Sequence, residues 1–484
     1  MSFGTLRNYV GGEWVSSKST QVLEVRNPAT GEVLAQVPMS TKDEVNQAVA
    51  RAKKAFAEWR EIPPVVRARY FFDLRNVLEE HFEEISRLLV QENGKTLPEA
   101  RGSVRRAVEM VEVAAGIPSL MMGYGLEDIA KGIDCFAIRQ PLGVFACVTP
   151  FNFPAMVPLW FLPFAVACGN TYVVKPSEQT PLCQKRIFEL MHDVGFPPGV
   201  VNLVNGAKEA VDALLQNDDV VGVSFVGSSP VARYVYETAG SKGKRVQALG
   251  GAKNFLVVMP DAELDSTVDA LIDSCYGCAG ERCLAGSILI AVGDVYDALK
   301  EKFTGAAKKI TVGNGLEEGI KMGPVISRKH KERVLGYIAS AVREGAELLL
   351  DGRNVKVVGY PNGYFVGPTI FDNVKSSMTI AKEEIFGPVV AIMRVDSLEE
   401  ALELISQGEF GNATSIFTTN GGAAREFVYR VGISMIGVNI GIAAPMAFFT
   451  FGGAKGSFFG DLKAHGKDSI EFFTDKRVVI SRWF

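Results

Sequence analysis

The side chain best suited to nucleophilic chemistry in this 484-residue sequence is the thiol of Cys283. It belongs to the stretch Tyr-Gly-Cys-Ala-Gly-Glu-Arg-Cys-Leu-Ala-Gly at positions 276–286, between a helical apolar run and a predicted strand at 287–292. Small neighbouring residues would leave room for a ligand, and the adjacent Arg282 would favour the thiolate electrostatically. A buried cysteine that packs as a small apolar side chain is the alternative, and this stretch alone does not decide between the two.

Asn152 is suited to assist such a nucleophile. It lies in Thr149-Pro-Phe-Asn-Phe-Pro154, where a predicted strand ends and a buried apolar helix over 151–168 begins. Its side-chain amide could donate a hydrogen bond to the oxyanion that forms when a thiolate attacks a carbonyl carbon. The alternative is an asparagine that serves only the turn beside two prolines.

Lys175 and Glu178 stand at the carboxyl end of a predicted parallel strand, where α/β sheets bind ligands. Both side chains can hydrogen-bond the ribose hydroxyls of a nucleotide. A carboxylate at this position would repel a 2′-phosphate, which favours NAD over NADP. A surface ion pair at the end of a strand is the alternative interpretation.

Two further stretches have residue types that suit a dinucleotide. Gly227 and Ser228 form a glycine turn that opens a helix, and its first backbone amides could bind a pyrophosphate. Glu384 and Phe386 are two residues apart in a strand-like stretch and therefore point the same way. They could hold a second ribose and brace a nicotinamide ring.

Two neighbouring arginines on a predicted helix over 97–116 are expected to differ in role. Arg105 falls one turn from Glu109, so we interpret it as a solvated ion-pair residue. Arg106 falls near Met110 and Val113, where a guanidinium is costly without an anionic partner. Arg106 is therefore the better candidate for binding an anion.

The elements that must position these residues alternate between strands and helices over most of the chain. Predicted strands at 144–148, 172–175, 200–204, 220–225 and 246–249 are separated by helical runs, and a second alternation runs from 254 to about 430. The pattern predicts an α/β protein with two doubly wound parallel sheets. We assign residues 1–118 and 141–250 to a first, discontinuous domain, and residues 251–430 to a second domain that carries Cys283.

Two segments fall outside this alternation. Residues 119–140 lose the helical period and indicate a projecting hairpin, and residues 460–484 end in the apolar strand Arg477-Val-Val-Ile-Ser-Arg482, which has no obvious local partner. Such an edge strand could pair with another subunit. We predict that 119–140 and 460–484 form a small β element for oligomerisation.

Composition narrows the class of protein. A hydrophobic content of 47% and a net charge of −4 indicate a globular protein and argue against nucleic acid as the main partner. The most apolar run, 151–168, contains three prolines and predicts no membrane span. Seven scattered cysteines and the absence of a targeting pattern predict a cytoplasmic protein. Cys275 and Cys278 form a single CxxC without a second pair, so we expect no metal site.

In this order, the stretches above resemble the aldehyde dehydrogenase superfamily from about residue 8 to 480. The resemblance implies an aldehyde dehydrogenase-like fold and a thiolate at Cys283 that attacks an aldehyde. It also implies that Asn152 and the Cys283 amide stabilise the oxyanion, and that a hydride passes to NAD⁺ and leaves a thioester. The positions that match or adjoin cofactor-binding groups of the family are Thr149 and Phe151 (largely backbone), Lys175, Glu178, Gln179, Gly227, Ser228, Gly250, Glu384 and Phe386. Among these, Gln179 stands where an Arg is common, and Gly250 is Thr in some relatives.

One departure points to a branch of the superfamily. Hydrolytic members carry a Glu in a Glu-Leu-Gly-Gly-Lys stretch, whereas this chain has Gln247-Ala-Leu-Gly-Gly-Ala-Lys-Asn254, with Ala248 where we expect the Glu. Alanine cannot act as a base, so another acyl acceptor than water is expected. This stretch and Gly280-Glu-Arg-Cys283 are similar to the coenzyme A-acylating branch of methylmalonate-semialdehyde dehydrogenases.

That branch implies a substrate, a co-substrate and an assembly. Malonate or methylmalonate semialdehyde would be oxidised and decarboxylated to acetyl-CoA or propionyl-CoA, with coenzyme A as the acyl acceptor. Two arginines that match Arg106 and Arg282 would bind the substrate carboxylate. The family also implies a homo-oligomer, either a dimer or a tetramer. The alternative is a hydrolytic aldehyde dehydrogenase that releases a free acid with another carboxylate as base.

Overall fold

A computed structural model describes residues 3–484 of the chain. The first part of the chain consists of short strands and a group of helices. Their bounds are β1 (Asn8–Val10), β2 (Glu13–Val15), β3 (Val22–Arg26), β4 (Val33–Pro38), α1 (Lys42–Trp59), α2 (Pro64–Glu80), α3 (Phe82–Asn93), α4 (Leu97–Ala115) and α5 (Ile117–Leu120).

A hairpin and then a regular alternation of strands and helices follow. Their bounds are β5 (Tyr124–Ala130), β6 (Ile133–Pro141), β7 (Val144–Val148), α6 (Met156–Leu159), α7 (Leu162–Ala167), β8 (Thr171–Lys175), α8 (Leu182–Val194), β9 (Val201–Leu203), α9 (Lys208–Gln216), β10 (Val220–Val226), α10 (Ser229–Ser241) and β11 (Arg245–Leu249). The apolar run at 151–168 thus forms two short helices rather than the single helix predicted, and prolines occupy the first turn of α7 and the body of α6.

The second alternation contains the nucleophile candidate. Its elements are β12 (Asn254–Val258), α11 (Leu264–Tyr276), a 3₁₀ turn (Gly277–Gly280), β13 (Gly286–Val292), α12 (Val295–Ala307), α13 (Arg328–Arg343), β14 (Glu347–Leu350), β15 (Thr369–Asp372), α14 (Thr379–Lys382), β16 (Val389–Val395), α15 (Leu398–Ser406), β17 (Ala413–Phe417), α16 (Gly421–Arg430) and β18 (Met435–Val438). The chain ends with β19 (Phe458–Gly460), α17 (Gly466–Phe473) and β20 (Thr474–Arg482).

Two large sheets organise the molecule, as the α/β pattern predicts. The first has the order β2-β1-β9-β8-β7-β10-β11-β19, and its five central strands, from β9 to β11, are parallel. The second has the order β14-β15-β16-β13-β12-β17-β18 and is parallel from β15 to β18. The strand order of the first sheet reverses between β7 and β10, so the loops after these two strands flank a crevice of the kind in which α/β sheets bind ligands.

The bounds of the two sheets differ somewhat from the predicted domain bounds. Strand β18 extends the second sheet to residue 438, beyond 430, and β19 adds residues 458–460 to the edge of the first sheet. The assignment of domains stays a prediction.

The carboxyl-terminal strand, which has no partner nearby in the sequence, pairs with the distant hairpin of β5 and β6 in its own chain. Strand β20 pairs antiparallel with β6 over nine residues, and β6 pairs with β5. The partner lies about 340 positions earlier in the chain, which local sequence patterns cannot indicate. The result is a three-stranded sheet, β20-β6-β5, separate from the two large ones.

Helix α4 carries Arg105 and Arg106. It begins with a capping box, in which the Glu99 carboxylate accepts from the Thr96 amide at 2.8 Å. Its buried face includes Val104, Val108 and Val111, which recur at helical spacing. The predicted helix over 97–116 is confirmed to within one residue.

Within residues 3–484, no helix is long and apolar enough to cross a membrane. The same residues contain no group of three or more His, Cys, Asp or Glu side chains arranged to hold a metal ion.

Candidate active site

A cavity of about 980 Å³ lies between α4, the segment that includes α6, and the turn before Cys283. Three of the residues predicted to act on a substrate line it: Cys283, Arg282 and Arg106. Apolar and aromatic side chains form much of the remaining wall. A cavity of this size, mostly apolar with a few polar groups, has the properties of a site for a small molecule.

Cys283 is held by two asparagines that sequence reasoning missed. The side-chain amides of Asn254 and Asn412 donate to the Cys283 carbonyl at 2.9 and 2.7 Å, and Asn254 also donates to the Ala285 carbonyl at 2.8 Å. Asn254 begins β12, and Asn412 directly precedes β17. The nucleophile is therefore fixed through its backbone by two strands of the second sheet, whereas its side chain is free to face the cavity.

The turn before Cys283 has an unusual backbone. Cys278 and Ala279 have φ angles of +51° and +53°, which non-glycine residues seldom adopt. Gly280 follows at φ +74°, and a Cβ there would come within 2.3 Å of the Gly387 carbonyl oxygen. Glycine is therefore required at 280, and the close approach packs the nucleophile turn against the segment that carries Phe386.

Burial controls the pKa of the Cys283 thiol. Burial and the nearby Glu384 carboxylate raise this pKa to about 12, while Arg282 and the amides of Cys283 and Leu284 lower it by smaller amounts. The expected effect of Arg282 therefore has the predicted sign, but it is smaller than the effect of burial. The thiol is protonated at neutral pH.

Asn152 lies close to the nucleophile turn. Its side-chain amide donates to the carbonyl of Glu281, two residues before Cys283, at 3.0 Å. One of its two N–H groups therefore holds the turn, and the other has no hydrogen-bond partner among residues 3–484. The buried Lys95 donates to the Asn152 carbonyl at 2.7 Å and lies 3.9 Å from the centroid of the Phe153 ring, which fixes the strand-to-helix segment from behind.

Arg105 lies on the exposed side of α4 and Arg106 faces the cavity, as predicted, but the predicted ion-pair partner of Arg105 is wrong. Arg105 pairs with Glu79 of α2 on the exposed side of α4, not with Glu109. Arg106 pairs with Glu109 through Nη1 at 2.8 Å and lines the cavity. Within residues 3–484, no hydrogen bond engages Nε or Nη2 of Arg106. These nitrogens can therefore donate to an anion in the cavity.

Arg282 is held more firmly than Arg106. Its Nε donates to Cys278 Sγ at 3.3 Å, its Nη1 donates to the Asp273 carbonyl at 3.1 Å, and its Nη2 is 3.5 Å from Glu99 Oε1. The guanidinium also packs directly over Gly277, where a Cβ would come within 2.4 Å of Nη1. Arg282 thus braces the nucleophile turn as well as lining the cavity.

Several predicted cofactor residues stand together at the carboxyl ends of β7 and β8. Thr149 donates its amide to the Lys175 carbonyl at 3.2 Å, and Lys175 Nζ lies 3.1 Å from Glu178 and 2.8 Å from the Gly206 carbonyl. Gln179 follows, with its amide bonded to Ser177 Oγ at 3.2 Å. The Phe151 carbonyl is already engaged, because Asn93 and Thr180 both donate to it at 3.1 Å.

The other predicted cofactor residues lie at the ends of β10 and β11. Gly227 bonds through its amide to the Leu249 carbonyl at 3.0 Å, and a Cβ at Gly227 would come within 2.5 Å of the Phe225 ring. Ser228 directly precedes α10, but its side chain accepts no hydrogen bond from the first backbone amides of that helix. Gly250 follows β11, and a Cβ there would come within 2.7 Å of Ser229 Oγ.

Glu384 and Phe386 approach from the second sheet. Glu384 accepts from the Ala252 amide at 2.9 Å, and burial raises its pKa to about 7. Phe386 has φ +59°, its ring meets that of Phe151 edge to face at 5.8 Å, and its carbonyl bonds to His330 Nε2 at 2.6 Å. The loops of the two sheets therefore meet beside Cys283.

Ala248 does not face the nucleophile. The prediction that Ala248 occupies the position of the catalytic Glu of hydrolytic members is therefore wrong. Ala248 packs on one face of β11 with an apolar cluster that includes Val144 and Val223. The next residue, Leu249, belongs to the cluster on the opposite face, against which Cys283 packs. Because side chains alternate along a strand, a shift of one position moves a residue to the other face of the sheet. The position on the nucleophile's side is Leu249, which cannot act as a base either.

Comparisons with known proteins agree with this architecture. A sequence model described as the aldehyde dehydrogenase family matches residues 14–479. Malonate-semialdehyde dehydrogenase 2 of Geobacillus kaustophilus is 52% identical over 479 residues and covers 99% of both chains. Malonate-semialdehyde dehydrogenase of Halalkalibacterium halodurans is 51% identical over 478 residues, covering 99% of this chain and 98% of the relative.

Solved structures give the same result. A putative methylmalonate-semialdehyde dehydrogenase of Sinorhizobium meliloti, complexed with NAD, superposes with a TM-score of 0.98 at 44% identity, covering 100% of this chain and 98% of that one. Methylmalonate-semialdehyde dehydrogenase of Oceanimonas doudoroffii has a TM-score of 0.98 at 47% identity, covering 100% and 99%.

Proposed function

Because the chain belongs to the aldehyde dehydrogenase family, we propose that it oxidises malonate semialdehyde or methylmalonate semialdehyde with NAD⁺ and transfers the acyl group to coenzyme A. The observation that carries this proposal is the position of Arg106, which lines the same cavity as Cys283 with two of its nitrogens unengaged among residues 3–484. A substrate that bears a carboxylate beside its aldehyde needs such a cation. The names of the most similar relatives support the same substrate class.

The residues at the carboxyl ends of the first sheet suit NAD. Lys175 and Glu178 offer a donor and an acceptor for ribose hydroxyls, and the amides that open α10 after Ser228 suit a pyrophosphate. Glu384 and Phe386 would border the nicotinamide side, next to Cys283. NAD⁺, when bound there, supplies the acceptor for the hydride.

The chemistry of the chain's own residues begins with the thiol. Loss of its proton gives a Cys283 thiolate, which attacks the aldehyde carbon and forms a carbon–sulfur bond. The free N–H of Asn152 and the Cys283 amide donate to the resulting oxyanion. When the hydride leaves, the oxyanion reforms a carbonyl and a thioester remains on Cys283.

Two events complete the reaction. The carboxylate leaves as CO₂, its bonding electrons pass to the adjacent carbon, and that carbon takes up a proton. The thiol of coenzyme A attacks the thioester and releases Cys283. The balance for malonate semialdehyde is one semialdehyde, one NAD⁺ and one coenzyme A converted to acetyl-CoA, CO₂ and NADH. An apolar Leu249 on the nucleophile's side of β11 provides no base for water, which favours the thiol as acceptor.

Trapping the acyl-enzyme tests this chemistry directly. Incubation with methylmalonate semialdehyde and NAD⁺ without coenzyme A should leave an acyl group on Cys283, detectable by peptide mass. Cys283→Ala should carry no adduct and form no NADH. An adduct on Cys278 instead, or NADH formation by Cys283→Ala, would contradict the assignment of the nucleophile.

We also propose that the protein assembles as a homo-oligomer, a dimer or a tetramer, through the small sheet β20-β6-β5. The register aligns Tyr124 with Ala137 and Val478, and Leu126 with Cys135 and Ile480. Four large apolar side chains of this face are 63–71% exposed: Tyr124, Leu126, Val478 and Ile480. An exposed apolar stripe of this kind favours association.

All seven cysteines are unpaired, which suits the proposed cytoplasmic location.

A further inference from the structure

His465 is a buried histidine that lines the same cavity as Cys283 and Arg106. Within residues 3–484, neither of its ring nitrogens has a hydrogen-bond partner. A buried polar group without a partner costs about 1–3 kcal/mol. Because His465 lies on the wall of a substrate cavity, we expect the bound ligand to provide the missing hydrogen-bond partner of its imidazole.

Trp160 provides a second, independent observation of a buried nitrogen without a hydrogen-bond partner among the described residues. Its ring meets that of His465 edge to face at 4.9 Å between centroids, and it also lines the cavity. The indole Nε1, like the imidazole nitrogens, is buried and has no partner among the described residues. Two neighbouring side chains from distant parts of the chain, both lining the cavity, therefore each have a buried nitrogen without a hydrogen-bond partner among the described residues.

The charge state of His465 suits an anionic ligand close to Arg106. Burial and the positive charge of Arg106 lower the pKa of His465 to about 3. The imidazole is neutral at physiological pH and has one N–H to donate. Arg106 itself uses only Nη1 for Glu109 and Met446. The two side chains are thus hydrogen-bond donors near each other.

The backbone holds the imidazole in place. His465 has φ +69°, and the amides on both sides are tied to the preceding loop: Phe451 and Ala464 bond to each other at 2.8 and 3.0 Å, and Gly466 bonds to the Ala447 carbonyl at 3.1 Å. The ring of Phe451 lies 5.4 Å from the imidazole. A ring fixed by backbone bonds and aromatic neighbours is preorganised to meet a ligand.

We propose that His465, together with the Trp160 indole N–H, is a specificity-determining contact for the carboxylate of the semialdehyde, additional to Arg106. This inference rests on the proposed function and assigns a further residue to its substrate site. A carboxylate oxygen that accepts from the imidazole would satisfy the buried donor, whereas an aldehyde without a carboxylate would leave it unsatisfied. The contact therefore adds to the preference for acidic over neutral aldehydes.

The test compares two substrates in two variants. His465→Phe keeps an aromatic ring against Trp160 and Phe451 but removes both nitrogens. It should lower the ratio of kcat/KM for malonate semialdehyde to kcat/KM for propanal by about tenfold, mainly through KM for the semialdehyde. His465→Asn retains a donor and tolerates the left-handed backbone, so it should recover part of the ratio. Equal losses on both aldehydes, or no rescue by Asn, would show that His465 only packs the wall.

A binding measurement separates failure of this inference from failure of the proposed function. With propanal as substrate, 3-hydroxypropanoate should inhibit the wild type competitively, and His465→Phe should weaken this inhibition about tenfold. Unchanged inhibition in His465→Phe would overturn the role of His465 alone. A wild type that oxidises propanal but neither binds 3-hydroxypropanoate nor oxidises malonate semialdehyde would overturn the proposed function itself. Should His465→Phe fail to fold, Trp160→Phe removes the other donor and must lower the same ratio.

Discussion

At the scale of single residues, Arg105 and Arg106 show how one position on a helix decides a role. Successive residues of a helix point about 100° apart. Arg105 therefore reaches Glu79 on the exposed side of α4, whereas Arg106 reaches the cavity. The sequence predicted this difference because the neighbours of Arg106 at helical spacing are mostly apolar.

Replacement of Arg106 should affect acidic substrates selectively. Arg106→Leu removes the cation expected to bind the carboxylate, so kcat/KM for methylmalonate semialdehyde should fall about 100-fold relative to that for propanal. Arg105→Leu is the matched control, because it removes the same charge from the same helix outside the cavity. Steady-state kinetics with both aldehydes measures the effect. Equal losses on both substrates in Arg106→Leu would mean that its role is structural.

Substitution of Leu249 tests why coenzyme A, rather than water, is expected to accept the acyl group from the thioester. Leu249→Glu introduces a carboxylate on the nucleophile's side of β11, where it could activate water, so the ratio of free acid to acyl-CoA should rise. Ala248→Glu is the control on the opposite face. There the carboxylate would be buried among apolar residues and should destabilise the protein by about 3 kcal/mol without changing the product ratio. Product analysis measures the ratio of free acid to acyl-CoA, and thermal unfolding measures the loss of stability. A rise in acid release in Ala248→Glu alone would contradict the assignment of Leu249 to the nucleophile's side of β11.

The pKa of Cys283 predicts how the free enzyme reacts with an alkylating agent. A folded-state pKa of about 12 means that the reactive thiolate is scarce at pH 7 and becomes more abundant as pH rises. Iodoacetamide labelling of Cys283 should therefore accelerate about tenfold per pH unit between pH 7 and 10. Glu384→Gln removes a negative charge that raises this pKa, so it should accelerate labelling at fixed pH.

The neighbouring Glu383, which accepts from the Tyr337 hydroxyl at 2.6 Å, provides the control for that experiment. Glu383→Gln should leave the labelling rate of Cys283 close to that of the wild type. Peptide mass spectrometry distinguishes Cys283 from the partly exposed Cys135. A labelling rate that levels off below pH 8 would disprove the raised pKa.

At the scale of elements, the small sheet β20-β6-β5 leads to a prediction about assembly. Leu126→Asp combined with Ile480→Asp places two charges on its exposed apolar stripe and should convert the proposed oligomer into smaller species. Val358→Asp, at an isolated residue that is 96% exposed, is the control. Sedimentation velocity measures the outcome. A double variant that sediments like the wild type would exclude this sheet as an interface.

The elements also show what could be predicted from sequence. Runs such as Val144–Val148, in which every residue is buried, and the glycine turns after them predict a parallel sheet from local pattern alone. Contacts between distant segments have no local signal. The pairing of β20 with β6, and the bonds from Asn254 and Asn412 to the Cys283 carbonyl, depend on tertiary structure. The error at Ala248 has the same cause, since sequence gives alternation along a strand but not which face meets the nucleophile.

At the scale of the whole molecule, the two sheets bring together groups that are far apart in sequence. The loops after β7, β8, β10 and β11 form one side of the site, and the second sheet contributes Cys283 and Glu384. The cavity proposed to bind the substrate lies against α4 and is lined by Cys283. A thiol between a proposed dinucleotide crevice and a cavity that carries Arg106 is the arrangement that oxidation of an acidic aldehyde requires.

The measurement that tests this account most directly is NADH formation from methylmalonate semialdehyde and NAD⁺, with and without coenzyme A, with the acyl product identified by mass. We expect sustained turnover and propionyl-CoA only when coenzyme A is present, and without it a single turnover that leaves Cys283 acylated. Methylmalonate or propionate released at the same rate without coenzyme A would contradict the account. The protein would then be a hydrolytic aldehyde dehydrogenase with a base other than a residue of β11.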